Sequence, residues 1–371
     1  MVPLAALAVC AVAVVSFFLL SSAPSPGTES PSAVVSARPP MIGGTPADEA
    51  VFVLLARNVD QDASVVAVDP ATGEAAASYA AGHDPAAAVS SGGDRLYLSS
   101  GLGYGSNLSV IETSTGQVVR RIGFPDRWDN TLPPYFPTMA LAPDGRWLFA
   151  LRARSVGPER DIYTVAVFDA VQGEFLADEL PMAGCIGGLL VPGSSSLDVA
   201  CPHTGILLSF PALGNGRFDP PSSVQASERF VAGAARLPGS PDVLLVTDAG
   251  RVIRVGADGV SVIVVLAEAG ADQPQFAGFA VSPDRSRLYV GRGEGRLGSI
   301  SRIEAYEMAT GARSAEVELP APGWTMRLSR DGERLYVAAH ETLQLLVFET
   351  RGLRLVATWR MPDRPALVLA P

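Results

Sequence analysis

"LSRDGERLYVAAH", residues 328–340, decides the fold of this chain. An apolar lead-in, an Arg-Asp-Gly-Glu turn and the alternating run "RLYV" read as a β-hairpin, because Asp and Gly supply the positive φ or the side-chain hydrogen bond that a tight turn needs. Near copies stand at 281–293 ("VSPDRSRLYVGRG"), 141–153 ("LAPDGRWLFALRA") and 89–101 ("VSSGGDRLYLSSG"). One unit repeated along a chain is the mark of a repeat architecture.

A second signature, strand, Gly-containing turn, strand, alternates with the first. It is clear at 64–82, 108–124, 163–181 and 300–320, and weaker at 205–218, 250–266 and 342–359. The turn glycines Gly73, Gly116, Gly173, Gly214, Gly259, Gly311 and Gly352 are on average about 46 residues apart, the spacing of four-stranded propeller blades. With strands called A to D from the inside outward, the first signature is A-B and the second C-D. The expectation is an all-β, seven-bladed β-propeller of four-stranded antiparallel blades. The last residues, "PALVLAP" (365–371), match "PTMALAP" (137–143), a strand A, while "VFVLLAR" (51–57) matches a strand B. An open row of blades would leave free sheet edges, so the C-terminal strand is expected to complete the first blade.

The Asp turn with "RLYV", followed by "V-x-V-x-D-x-x-T-G", resembles the YVTN-type β-propeller repeats and the wider, WD40-like group that includes the heavy chain of quinoprotein amine dehydrogenases. The likeness covers nearly all of residues 49–371 and lies in structural positions, so it implies a fold and leaves activity open. Blades 4 and 5 ("VPGSSSLDVACPH" and "LPGSPDVLLVTDAG") depart most from the pattern.

Of 371 residues, 48% are hydrophobic, enough to bury a large core, and 28 basic against 38 acidic residues leave a charge of −10. That charge repels a phosphate backbone and excludes nucleic acid as a partner class. Residues 2–20 carry no charge and approach the roughly 20 apolar residues that span a bilayer. No Lys or Arg precedes them and Pro24 follows the small residues Ser21 and Ala23, which favours an uncleaved anchor over a cleaved signal, leaves both open, and raises the question of a displaced initiator Met. Residues 1–22 are therefore anchor or signal, 23–48 a Pro/Ser-rich linker, and 49–371 the propeller. The protein is expected to be extracytoplasmic, membrane-anchored or secreted.

The tight turns all fall on the A-B/C-D face, so the opposite D-A/B-C face, with its longer connections, is the candidate for binding. His83, His203 and His340 map there, with Trp128, Tyr135, Arg152, Arg154, Arg292, Trp324 and Glu341. Arginine can hold a carboxylate or phosphate bidentately, aromatic side chains can wall an apolar pocket, and histidine can shuttle protons. These are ligand-binding candidates only: the three histidines sit on different blades, no metal site or cofactor is expected, and no catalytic set can be assembled. "GEGRLG" (293–298) fits G-x-G-x-x-G but lies between strands, where the phosphate-binding helix N-terminus is missing. Cys185 and Cys201 flank a hairpin turn at positions that fit the roughly 4.4–6.8 Å Cα separation of a disulfide, and an exported domain should oxidise them.

The reading is a binding or scaffold protein, a monomeric propeller recognising a protein or small molecule through the D-A/B-C face without turnover. A lactonase-like hydrolase is the alternative. A third reading, implied by the resemblance, is a cofactor-free subunit of an amine dehydrogenase-like redox complex with a small cofactor-bearing partner.

Overall fold

The computed structural model describes residues 50–56, 63–82, 85–100, 107–123, 138–155, 161–176, 179–213, 217–228, 230–266, 275–293 and 299–369. The expected anchor and linker at 1–48, with His83, Trp128 and Tyr135, lie outside them. Among the described residues no helix is long and apolar enough to cross a membrane.

Strands follow one another in seven antiparallel sheets. The first holds β1 (Val51–Leu55), β2 (Ala63–Val68) and β3 (Ala75–Gly82); the second β4 (Ala87–Val89), β5 (Arg95–Ser100), β6 (Asn107–Glu112) and β7 (Gln117–Gly123). The third holds β8 (Met139–Leu141), β9 (Trp147–Ser155), β10 (Asp161–Asp169) and an outer strand split into β11 (Glu174–Phe175) and β12 (Leu180–Pro181), both paired with β10. Sheet four is β13 (Leu189–Pro192), β14 (Ser196–Ala200), β15 (Ile206–Pro211) and β16 (Ser222–Gln225); sheet five is β17 (Val231–Arg236), β18 (Val243–Thr247), β19 (Arg251–Gly256) and β20 (Gly259–Val265). Sheet six is β21 (Gln275–Val281), β22 (Arg287–Gly293), β23 (Ile300–Glu307) and β24 (Arg313–Gly323); sheet seven is β25 (Thr325–Leu328), β26 (Arg334–Ala339), β27 (Gln344–Glu349) and β28 (Arg354–Arg360).

The last strand, β29 (Pro365–Leu369), joins β1 in the first sheet, pairing Phe52 with Leu369, Val53 with Val368 and Leu54 with Leu367. Inner strands also neighbour one another in a closed circuit, β4 beside β8, β8 beside β13, β13 beside β17, β17 beside β21, β21 beside β25, β25 beside β29 and β29 beside β4. The protein is thus a seven-bladed propeller closed as its terminal strands predict.

The inner strands are nearly all apolar for a physical reason. Alternate residues of one strand enter different layers: Phe52 and Leu54 pack with Leu96 and Leu98 toward blade 2, whereas Val51, Val53 and Leu55 pack with Tyr336, Val347 and Trp359 toward blade 7. Both faces are buried, so the usual in-out alternation vanishes.

In the A-B turn of blade 7, Gly332 donates its N–H to the Ser329 carbonyl at 2.9 Å, and the Asp331 carboxylate accepts the Glu333 N–H at 2.9 Å. The matching Asp284 accepts the Ser282 hydroxyl and the Ser286 N–H, bonds that lower its pKa to about 2. In C-D turns the glycine serves two needs. Gly73 has φ +75°, and a Cβ there would come 2.2 Å from Trp359 of blade 7. Gly73→Ala should therefore cost about 3 kcal/mol, from left-handed strain plus overpacking, read as a lowered urea midpoint. In blade 7 the expected glycine is displaced by one residue: Leu353, not Gly352, takes the positive φ (50°), and its side chain is buried in the blade 6–blade 7 core. Burial of a leucine, about 2 kcal/mol, exceeds the cost of one left-handed residue.

Candidate functional site

The D-A/B-C face carries the described candidates, and most are bound into the blades. His340 follows β26 in a short 3-10 turn, His340–Thr342. Its ring stacks on Trp324, centroids 3.8 Å apart and planes 4° from parallel. Nδ1 lies 3.2 Å from Glu341 Oε1 and Nε2 lies 3.3 Å from the Ala56 carbonyl. Ala56 follows β1 and donates its N–H to the Arg364 carbonyl at 3.0 Å, and the Arg364 guanidinium lies 3.8 Å from Glu341. The histidine that terminates the repeated hairpin is thus 3% exposed and ties blade 7 to the seam where the ring closes.

Arg292, at the end of β22, is buried against Glu304, with Nε 2.6 Å from Oε2. Glu304 is wholly buried. It also accepts the Tyr306 hydroxyl at 2.6 Å and an Arg313 Nη1–H at 3.3 Å, with Arg302 Nε 3.5 Å away. Burial, and then the neighbouring Glu304 carboxylate, push the Tyr306 phenol up to about 12. Arg152 on β9 is buried and pairs with Glu179, which also accepts the Thr164 hydroxyl at 2.8 Å. Arg154 lies two residues further on β9, opposite Ile162. His203, in the β14–β15 link, is exposed and meets Phe230 edge to face at 5.3 Å.

The structure therefore brings together His340, Trp324 and Glu341, and separately Arg292 with Glu304, but it does not gather the candidates into one cluster. The partners Glu179, just ahead of β12, and Glu304, on β23, escaped sequence reasoning, since a lone glutamate carries no local signal of which arginine it will meet. Among the described residues no group of three or more His, Cys, Asp or Glu could hold a metal ion.

Cys185 and Cys201 form a disulfide, Cα atoms 5.2 Å apart. Cys185 sits in a turn ahead of β13, its N–H donated to the Met182 carbonyl at 3.1 Å. Gly184 and Gly187, both at positive φ, bend the chain back to reach Cys201. Replacing both cysteines by alanine should lower stability by about 3 kcal/mol, the loop-closure value for a loop of this size, measured by urea unfolding; thiol titration of the unfolded, unreduced chain should find neither thiol free.

One expectation about the faces is corrected. The C-D connection of blade 4 is long, running from Pro211 at the end of β15 to Ser222 at the start of β16, with the Leu213 N–H donated to the Arg217 carbonyl at 2.8 Å. With Leu180 and Pro181 of blade 3 it borders a cavity of 670 Å³ lined by Phe210, Leu213, Arg217 and Phe218. The chain here carries Gly214, Gly216 and the pair Pro220-Pro221, which cannot extend a ladder on both sides.

No protein-family model matches the chain, and no curated protein matches it. Solved structures do. A functionally unknown protein from Desulfotomaculum acetoxidans is similar at TM-score 0.64 and 14% identity, over 86% of this chain and 99% of that one. A Bacteroides uniformis protein named "putative 6-phosphogluconolactonase" is similar at TM-score 0.62 and 16% identity, over 86% and 99%. The dihydro-heme d1 dehydrogenase NirN is similar at TM-score 0.58 and 16% identity, over 87% of this chain and 65% of its own. Identities this low show a shared fold and nothing finer.

Proposed function

We propose that this chain is an extracytoplasmic binding or scaffold propeller of the YVTN-repeat type, recognising a protein or small ligand through its D-A/B-C face and held at the membrane by residues 2–20. The observation that carries this reading is the contrast between the faces. Apart from residues 212–221, the A-B and C-D turns are short and closed by their own hydrogen bonds, whereas the D-A/B-C side holds the longest connection, between β7 and β8. That side also holds polar groups braced within rigid blades, as Arg152 is by Glu179 and His340 by Ala56. Pre-ordered side chains at the rim of a rigid scaffold suit recognition, because little entropy is lost on binding. The disulfide supports an oxidising compartment.

Opposed charge insertions test the face. His203→Glu and Phe230→Glu on the D-A/B-C side should abolish co-purification of ligand from the exported fraction, and Val171→Glu in the C-D turn of blade 3 should leave it intact. Equal loss or equal retention would reject the assignment. Turnover of a lactone and ester panel by the purified chain would favour the hydrolase reading instead, and capture of a small, cysteine-rich redox partner would favour the dehydrogenase-subunit reading.

A further inference from the structure

Arg327 lies on β25, the innermost strand of blade 7, between the buried Met326 and Leu328, yet its own side chain is exposed. Surrounding protein nevertheless desolvates its guanidinium and lowers its pKa. A side chain that is both accessible and desolvated, on a strand whose free edge faces the ring axis, lines the central channel. Its hairpin register is informative. Arg327 pairs with Tyr336, and the same register is held in the other blades by Ala88, Ala140, Val191, Ala235, Ala280 and Val368. Six small apolar residues and one arginine thus share one level of the ring.

Arginines buried or half-buried in the blades have partners: Arg152 has Glu179, Arg236 has Asp198 and Arg292 has Glu304. Among the described residues nothing pairs or hydrogen-bonds with Arg327. An unpaired guanidinium that protein crowds yet that stays open to solvent keeps its donors free for an anion arriving from outside.

We infer that Arg327 and the small-residue ring around it form a channel site for a small organic carboxylate. One guanidinium satisfies both oxygens of a carboxylate through two parallel N–H bonds. At this level Ala140, Ala235 and Ala280 are partly exposed and offer an apolar wall for a short hydrocarbon portion with no further donors, while Ala88, Val191 and Val368 are buried between blades. A phosphate, with more oxygens to satisfy, would leave some unpaired. The site stands independently of the face reading, since no residue of the D-A/B-C loops enters the argument.

The test is titration of the intact protein with butyrate and, separately, with inorganic phosphate at matched ionic strength, by calorimetry and thermal unfolding, on wild type and Arg327→Met. Butyrate should bind wild type saturably at one site and raise its melting temperature by a few degrees. Arg327→Met should weaken butyrate by at least about tenfold, the loss expected for a charge-assisted pair, and without butyrate should melt no lower than wild type, because a desolvated charge has gone. Arg327→Lys should bind more weakly than wild type but better than the Met variant. The inference fails if wild type shows no saturable butyrate effect, if the Met variant responds equally, if phosphate binds more tightly than butyrate, or if Arg327→Met melts lower or fails to fold, which would make the arginine structural.

Discussion

A chain ending at Arg364 should not fold into a monomer. Truncation there removes β29, with the buried Ala366, Leu367 and Val368, and uncovers Phe52, Val53 and Leu54, each at 0% exposure. Each fully buried Val, Leu or Phe contributes about 1.5–3 kcal/mol, so the loss from five or six such side chains equals or exceeds the roughly 5–15 kcal/mol by which whole domains are stable. The damage is also topological. β1, "VFVLL", becomes an uncharged free edge, a template for pairing with other chains. The Arg364 carbonyl that accepts the Ala56 N–H, beside the His340 contact to the Ala56 carbonyl, is then left on a fraying chain end. Size-exclusion chromatography and circular dichroism should show aggregates without a cooperative melt; a monomer melting like the full chain would refute ring closure as the source of stability.

Glu304→Ala should be the most damaging single substitution of a polar residue. The side chain is wholly buried and Arg292 beside it is 6% exposed, so removing the carboxylate leaves a buried guanidinium without its counter-ion and the Tyr306 hydroxyl without its acceptor. Breaking a buried pair in this way costs about 3–5 kcal/mol. The pair itself is not a large source of stability, because desolvation of two charges offsets most of their attraction. Replacing the whole set, Arg292→Met with Glu304→Leu and Tyr306→Phe, should therefore recover most of the loss. Urea unfolding of wild type, the single and the triple variant checks both halves. A triple variant as unstable as Glu304→Ala would show that the charges hold something besides each other. The arginines at 302 and 313, which Glu316 also engages at 3.1 and 2.5 Å, lie nearer solvent and should contribute less.

Much of this architecture was legible in the order of residues. The Asp-Gly hairpins, the C-D glycines and the match of "PALVLAP" to "PTMALAP" predicted seven blades and their closure, and β29 beside β1 confirms it. In blade 7 Leu353 takes the left-handed position expected of Gly352, and in blade 4 the long connection between β15 and β16 departs from the short C-D turns of the other blades. Arg327 was visible too, as the odd residue when "TMRLSR" is set against "MALAP" and "GFAVSP", yet its meaning required knowing that this register faces a channel.

Strand, turn, blade number and closure follow from local chemistry repeated along the chain: the period of apolar residues and the dihedrals that Asp and Gly permit hold wherever the segment sits. The partnerships of charged side chains do not. Arg292 and His340 look alike as candidates for binding because both end a hairpin, and only the meeting of separate strands and blades assigns one to Glu304 and the other to the carbonyl of Ala56, while leaving Arg327 with none among the described residues. Electrostatic and hydrogen-bond partners are set by distances of a few ångströms between segments as many as 284 residues apart, and that information lives in the packing.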